Sequence, residues 1–227
     1  MTLAHQLVHP LSLSFALGEA AVLHQFRREG QAAQAHAAAA LQLATEQGFP
    51  HWRAYGAIVH GWALAHQGEA EEGIAQLQQG MLARLATGAV LARPYFLSLL
   101  VEAYGTMGQP AAGLTALTEA LTLAETNGEG WYVPELYRLK GTLLLQQSPD
   151  HQVEAEVCFQ QAIRIAQSQH AKSLELRAAT SLARLWQQQG KRTEAYDLLA
   201  AVYGWFTEGF DTADLQEAKA LLEELAG

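Results

Sequence analysis

The stretch GQPAAGLTALTEALTLAETNG, residues 108–128, is the clearest indication of the fold of this chain. It begins and ends with glycine, and the residues between are rich in Ala, Leu and Glu, which favour helix. Leu114, Leu117, Leu121 and Ala124 recur three or four residues apart, the spacing of one helical face. The stretch therefore predicts one amphipathic helix between two turns.

The same arrangement recurs along the whole chain with a period of about 40 residues. One series of turn positions, with successive spacings of 38, 40, 42 and 40, consists of Gly30, Gly68, Gly108, Asp150 and Gly190. Five residues after each of them comes a tiny residue: Ala35, Gly73, Gly113, Ala155 and Ala195. Nine residues after each comes Ala39, Leu77, Leu117, Phe159 or Leu199. A second series, spaced 40, 40 and 42, consists of Gly48, Gly88, Gly128 and His170.

Each period predicts a helical hairpin, in which helix A, a turn, helix B and a second turn follow one another. Pro50, Pro94 and Pro134 come just after the second turns, where a proline in the first turn of a helix loses no hydrogen bond. The tiny residue in helix B lets that helix lie close against helix A. A single hairpin cannot bury its apolar face, so the hairpins are expected to stack. No segment predicts a strand.

These hairpins resemble the tetratricopeptide repeat (TPR). The matching parts are Gly61, Tyr104, Trp186, GKRTEA at 190–195 and FQQAI at 159–163. Units of about 40 residues exceed the usual TPR length of 34, so both helices are expected to be about a turn longer.

The C-terminal half resembles the TPR region of large bacterial signalling proteins that carry a class III nucleotide cyclase domain and an AAA-type ATPase domain. The segments that carry this resemblance are WYVPELYRLKGTLLL at 131–145, AEVCFQQAIRIAQSQHAKSLELRAATSLARLW at 155–186 and GWFTEGFDTADLQEAKALL at 204–222. No cyclase or ATPase residue can be carried over from that resemblance.

The predicted fold is therefore all-α, a right-handed α-solenoid of about five TPR-like hairpins with a C-terminal capping helix, in a single domain over residues 1–227. The repeats are expected at about 10–48, 49–88, 89–128, 129–170 and 171–209, and the capping helix at 210–227. Residues 1–9 are expected to end the helix of a preceding repeat, because Val8-His9-Pro10 parallels Gly48-Phe49-Pro50. The chain would then be a piece of a longer protein.

Composition excludes several classes of function. A formal net charge of −9 argues against a nucleic-acid-binding surface, which needs clustered Lys and Arg. The single cysteine, Cys158, allows no disulfide within the chain. Neither a signal peptide nor a stretch long enough to cross a membrane is found, so a cytoplasmic location without membrane contact is expected. No catalytic, nucleotide-binding or metal-binding motif is present, and we expect neither enzyme activity nor a cofactor.

In TPR superhelices the A helices line the concave surface, and the turn register maps that surface onto this chain. The predicted groove residues are His24, Arg27, Arg28, Tyr55, Trp62, His66, Tyr95, Glu102, Glu135, Arg138, Arg177 and Arg184. Trp62 and Tyr104 have an alternative interpretation as core between repeats. Arg138, Arg177 and Arg184 predict a positive pocket for an acidic peptide or a carboxylate terminus, with solvated surface arginines as the alternative.

The function that this pattern favours is a protein–protein interaction scaffold or regulatory module of a bacterial multidomain signalling protein. Its groove would bind a peptide or a neighbouring domain, including a cyclase or ATPase domain of the same protein. The alternative is a small-molecule-sensing solenoid of the transcription-activator type, which an enclosed pocket lined by Tyr55 and Trp62 would favour. Self-association through Leu3, Leu7 and the first repeat is also expected, since unmatched solenoid ends stack.

Overall fold

The structure is a computed structural model that describes residues 9–227, and over those residues it consists of helices without any strand. The eleven described α-helices are α1 Pro10–Phe26, α2 Gly30–Glu46, α3 Pro50–His66, α4 Ala70–Ala86, α5 Arg93–Thr106, α6 Pro110–Asn127, α7 Val133–Gln147, α8 Gln152–Ser168, α9 Lys172–Gln188, α10 Arg192–Tyr203 and α11 Ala213–Ala226. Short 3₁₀ helices at Gly130–Tyr132 and Pro149–His151 precede α7 and α8. The all-α prediction is confirmed. Within the described part of the chain, no helix has the length and apolarity that crossing a membrane requires.

The chain divides into two compact units, which we call unit 1 (Met1–Gln109) and unit 2 (Pro110–Gly227). In unit 1, α1 pairs with α2 and α3 with α4, and α3 also packs on α1 and α5. In unit 2, α7 pairs with α8 and α9 with α10, and α9 also packs on α7 and α11. We call α1, α3, α5, α7 and α9 the A helices. The prediction of a single domain with five repeat boundaries stays a prediction.

Residues in the left-handed region end most of the helices at the predicted turn positions. In the first series, Gly68, Gly108 and Gly190 have φ of 102, 68 and 78°. In the second series, Gly48, Gly88, Gly128 and His170 have φ of 68, 81, 69 and 55°. The spacing thus located even His170, where a side chain takes the conformation that glycine adopts elsewhere.

The register predicted for the first hairpin is wrong by two residues. Its left-handed turn residue is Arg28, with φ of 61°, whereas Gly30 is the first residue of α2. Counting from Arg28, the tiny and apolar positions become Ala33 and Ala37, which are both fully buried. Ala35, the predicted tiny position, is exposed. Spacing alone cannot distinguish a glycine at the start of a helix from a glycine in a turn, so the sequence placed this turn two residues too late.

The tiny residue in helix B has the expected role in the second hairpin. A Cβ added at Gly73 would lie 2.5 Å from the carbonyl oxygen of Gly61 and 2.7 Å from the amide nitrogen of Ala65. The backbones of α3 and α4 therefore touch, which only glycine permits. The large apolar residues nine positions after the later turns are at most 1% exposed: Leu77, Leu117, Phe159 and Leu199.

The last helix, α11, packs against α9 and α10 as a capping helix would. Leu215, Ala218, Leu221 and Leu225 are buried on one face of it. Its C-terminal carbonyl groups are satisfied by Arg192 of α10, whose Nε donates to the Leu225 carbonyl oxygen at 2.8 Å. A cation at that end also complements the helix dipole.

Candidate functional site

Six aromatic side chains form a continuous series of ring contacts across the A helices of unit 1, and we call this series the aromatic run. Its members, in order of contact, are Phe15 of α1, Trp52 and Tyr55 of α3, Phe96 and Tyr95 of α5, and Phe26 of α1. Successive ring centroids are 5.4, 5.6, 5.6, 5.1 and 5.5 Å apart. These distances are those of interacting aromatic pairs, so the rings fix one another's orientation.

The aromatic run changes from exposed to buried along its length. Phe15 is 51% exposed, and Trp52 and Tyr55 are partly exposed. Tyr95 and Phe96 are only 3% and 2% exposed. An exposed aromatic surface is thus held in place by a buried one, which lowers the entropy cost of using it for binding.

Hydrogen bonds between A helices add to this order. Tyr55 Oη donates to Glu19 Oε1 at 3.2 Å, Trp62 Nε1 donates to Glu102 Oε2 at 2.7 Å, and Tyr95 Oη donates to Gln25 Oε1 at 2.8 Å. Burial raises the pKa of the Tyr55 phenol above its ordinary value, and the neighbouring Glu19 carboxylate raises it further. Tyr55 therefore stays protonated and remains a donor to Glu19.

Several residues predicted for the groove of unit 1 do not lie on its surface. Trp62 and Tyr95 are 2% and 3% exposed, so both belong to the core, as the alternative interpretation of Trp62 held. Arg28 lies in the turn after α1 rather than on a helix face, because it is the left-handed residue there. Arg27 also ends α1, and its Nε lies 2.7 Å from Glu29 Oε1.

The other predicted residues of unit 1 keep some exposure. Tyr55 and Glu102 are partly exposed, and His66 is exposed beside Trp62, with ring centroids 4.9 Å apart. His24 stacks on His36 at 5.1 Å, and its Nδ1 lies 2.5 Å from Glu29 Oε2. That contact and the bond from Arg27 hold the pKa of Glu29 below its usual value.

Three histidines of unit 1 predict a pH dependence of stability. Partial desolvation lowers the pKa of His36, His51 and His66, and the neighbouring basic groups His24, Arg84 and Arg28, respectively, lower it further. The unfolded chain therefore binds protons at a higher pH than the folded chain does. The free energy of unfolding is expected to have its full value above a pH of about 6.5 and to decrease as the pH drops below that value.

The melting temperature should therefore decrease between pH of about 7.5 and about 5.5, a range above the carboxylate pKa values. The variant His36→Gln cannot take up this proton, so its melting temperature should depend less on pH. An equal decrease in the variant and the wild type would show that His36 does not contribute.

The prediction of a positive pocket in unit 2 is wrong, because carboxylates of the same chain neutralise the arginines Arg138, Arg177 and Arg184. The Glu135 side chain is fully buried, and its Oε1 lies 2.6 Å from Arg138 Nη2 and 3.7 Å from Arg177 Nη1. Arg177 Nε also lies 2.7 Å from Asp214 Oδ2. Arg184 lies apart from this cluster and pairs with Glu217 at 3.0 Å on the surface.

Arg177 is the centre of this cluster. Burial alone would lower the pKa of its guanidinium, but the Glu135 and Asp214 carboxylates outweigh burial and raise that pKa. The side chain is 9% exposed and is held between α7 and α11. Its role is therefore to join three helices, and Glu135 is a core residue rather than a groove residue.

An open cleft of about 420 Å³ lies on the side of unit 1 that α2, α3 and α4 form together. Its lining consists of small residues with a polar edge: Leu41, Arg53, Ala54, Ala57, Glu72, Ala75, Gln76, Gln79, Gly80 and Ala83. Neither Tyr55 nor Trp62 lines it, so it is not the enclosed pocket that would favour the small-molecule alternative. That alternative stays a prediction.

Sequence reasoning missed Phe15, Glu19 and Trp52, which form the exposed end of the aromatic run with Tyr55. Phe15 and Trp52 lie in the N-terminal halves of α1 and α3. Their separation of 37 residues, close to one period, is the signal that could have identified them.

Hairpins of about 40 residues, a tiny residue where helix B meets helix A, and A helices that pack on one another define a TPR-like repeat protein. No protein-family model matches the chain, and no curated protein matches it in sequence.

Solved structures of TPR proteins are similar to this chain. Two are crystal structures of a kinesin-light-chain-like protein of Podosopora anserina with nearly identical TPR-like repeats. One has a TM-score of 0.58 and 19% identity, and the match covers 86% of this chain and 95% of that chain. The other has a TM-score of 0.57 and 17% identity, and covers 96% and 98%. At such identities the similarity shows the TPR-like fold alone.

Proposed function

We propose that this chain is a protein-interaction module that binds a peptide or a neighbouring domain on the A-helix surface of unit 1. The observation that carries the proposal is the exposed end of the aromatic run. Phe15 is half exposed, yet its ring packs edge-on against Trp52 at 85°, and Trp52 contacts Tyr55. Aromatic side chains that are fixed before binding are the usual anchors of protein interfaces.

The proposal extends to the biological context. The resemblance of the C-terminal half to the TPR region of bacterial proteins with cyclase and ATPase domains supports a regulatory role in a cytoplasmic signalling protein. The partner would then be a domain of the same protein or a segment of another. Such a role needs no chemistry in the repeat itself, in keeping with a non-enzymatic scaffold.

A peptide-binding experiment tests the proposal. Peptides selected from a displayed random library against the full chain should bind the wild type, and Phe15→Ala should weaken them by roughly thirtyfold or more, because a hot-spot side chain contributes about 2 kcal/mol or more. Fluorescence anisotropy with labelled peptides measures the affinity. Phe15 is half exposed, so its truncation should leave the melting temperature nearly unchanged.

Two control variants locate the site. Leu82→Ala removes a side chain that is 69% exposed on α4 and should leave binding unchanged. Ala75→Trp should fill the open cleft and also leave binding unchanged, since Ala75 is exposed and lines that cleft. If the peptides still bind Phe15→Ala but no longer bind Ala75→Trp, the assignment of the binding site to the A-helix surface is overturned. Failure to select any peptide would overturn the proposed function.

We also infer self-association through the first repeat. Leu3 and Leu7 lie outside the described residues, but Leu11 and Leu23 of α1 are 44% and 57% exposed. We expect light scattering to give a mass above that of the monomer at high protein concentration and Leu23→Glu to restore the monomer, because a charge opposes burial of that face. A mass that stays monomeric for the wild type contradicts the inference.

A further inference from the structure

The exposed end of the aromatic run forms a corner of three rings and one carboxylate, which we call the aromatic corner: Phe15, Glu19, Trp52 and Tyr55. The planes of Phe15 and Trp52 meet at 85°, and those of Trp52 and Tyr55 at 67°. Steep angles of this kind turn the ring faces in different directions. Phe15 is half exposed, and Trp52 and Tyr55 are partly exposed, so a ligand in the corner can contact more than one ring.

Glu19 places a negative charge beside these rings. It follows Phe15 by four residues on α1, so both side chains lie on the same side of that helix. Glu19 is exposed, and the Tyr55 hydroxyl holds its carboxylate by donating to Oε1 at 3.2 Å. The anion is thus held at the hydroxyl edge of the Tyr55 ring.

Aromatic faces and a carboxylate together favour one kind of ligand, which is a cation. The quadrupole of each ring attracts positive charge to its face, and the carboxylate adds direct attraction. Both features disfavour an anion. The formal net charge of −9 acts in the same direction, since it attracts basic partners and repels acidic ones.

Basic side chains on the neighbouring elements include Arg84, Arg53 and His51. Arg84 of α4 is buried, with its guanidinium 4.8 Å above the Phe96 ring, and its Nη1 donates to the Ala89 carbonyl oxygen at 3.0 Å. Arg53, next to Trp52 in sequence, lines the open cleft between α2 and α4. His51 contacts Trp52, but burial and then Arg84 lower its pKa, which favours a neutral ring.

We propose that the aromatic corner binds an arginine or lysine side chain of a basic peptide segment in the partner. This inference rests on the proposed function and names the chemistry of its ligand. Arginine fits better than lysine, because its planar guanidinium can stack on a ring and donate to Glu19 at the same time. The expectation of an acidic ligand at the arginines of unit 2 is thereby replaced by that of a basic ligand at unit 1.

The first test uses defined small probes with the full chain. N-acetyl-arginine methylamide should shift the NMR signals of Phe15, Trp52 and Tyr55 at millimolar concentration. N-acetyl-citrulline methylamide has nearly the same shape without the charge, and it should produce much smaller shifts. Equal shifts from the two probes, or none from either, overturn the proposal.

The second test uses the peptides selected for the proposed function. They should be enriched in arginine and lysine, and replacing the critical arginine by citrulline should lower affinity about tenfold, or about 1.4 kcal/mol. Glu19→Gln should have a similar effect and should flatten the salt dependence, while its amide oxygen can still accept from Tyr55. Glu71→Gln on α4 is the matched control, since it removes the same charge from another exposed position.

The two hypotheses fail in different ways. Peptides that depend on Phe15 but contain no essential cation, or that bind wild type and Glu19→Gln equally, overturn the cation site and leave the proposed function intact. Loss of affinity with Glu71→Gln as large as with Glu19→Gln would also overturn the site, because only overall charge would then matter. Absence of any Phe15-dependent peptide overturns the proposed function itself.

Discussion

Replacing Arg177 by methionine is expected to lower the free energy of unfolding by about 3–5 kcal/mol, the usual cost of removing one partner from a buried ion pair. Methionine keeps much of the volume of the side chain but removes its charge. Glu135, whose side chain is fully buried, would retain only Arg138 of its two cationic neighbours. Asp214, 14% exposed, would lose its partner at 2.7 Å.

Arg184→Met is the matched control, because Arg184 lies on the same helix and also pairs with a carboxylate of α11. That pair is exposed, at 46% for Arg184 and 35% for Glu217. Its loss should cost only about 0.2–1 kcal/mol. Urea denaturation followed by far-UV circular dichroism measures both variants. Equal losses would show that burial does not strengthen the contribution of the Arg177 cluster.

Phe159→Ala is expected to cost about 3–5 kcal/mol, because it removes a large buried ring and leaves a cavity between α7 and α8. Phe159 is 1% exposed, which confirms the prediction that it is a buried anchor between helices. Its ring occupies the space above Gly141 of α7, where a Cβ would lie 2.5 Å from Cε1. An unchanged urea midpoint would contradict this packing.

The contact between Phe159 and Gly141 predicts a change of sign. In the wild type, Gly141→Ala should destabilise by about 1–3 kcal/mol, because the added methyl group overlaps the ring. In the Phe159→Ala background the overlap disappears, and the same change should stabilise by about 0.5–1 kcal/mol through the higher helix propensity of alanine. A double-mutant cycle measures the coupling. Additive effects would mean that the two positions do not touch.

The aromatic run and the ion-pair cluster show how the two units differ. Unit 1 joins its A helices mainly through aromatic rings and neutral donors such as Trp62 and Tyr95. Unit 2 joins α7, α9 and α11 through the charges of Glu135, Arg177 and Asp214. The repeat therefore tolerates two kinds of contact between A helices, and in unit 1 these contacts leave Phe15 half exposed.

The helical hairpins and most of their register can be predicted from the amino-acid pattern. A helix needs only local hydrogen bonds and a spaced apolar face, so residues 108–128 are enough to predict one. The turns follow from a similar local rule, since a left-handed residue ends the helix at His170 as well as at Gly128. The burial of Phe159 followed from that register.

The side chains that form a surface are set by packing between helices, which the tertiary structure shows. Arg177 is neutralised by Glu135 and Asp214, which lie 42 and 37 residues away in the chain, and no local pattern shows that they meet it. Phe15 and Trp52 come together in the same way, from helices one repeat apart. Exposure and charge pairing depend on which helix faces pack across the repeat. Periodicity predicts which face of each helix is apolar. The side chains that meet between helices are set by packing between residues that lie about one repeat apart in the chain.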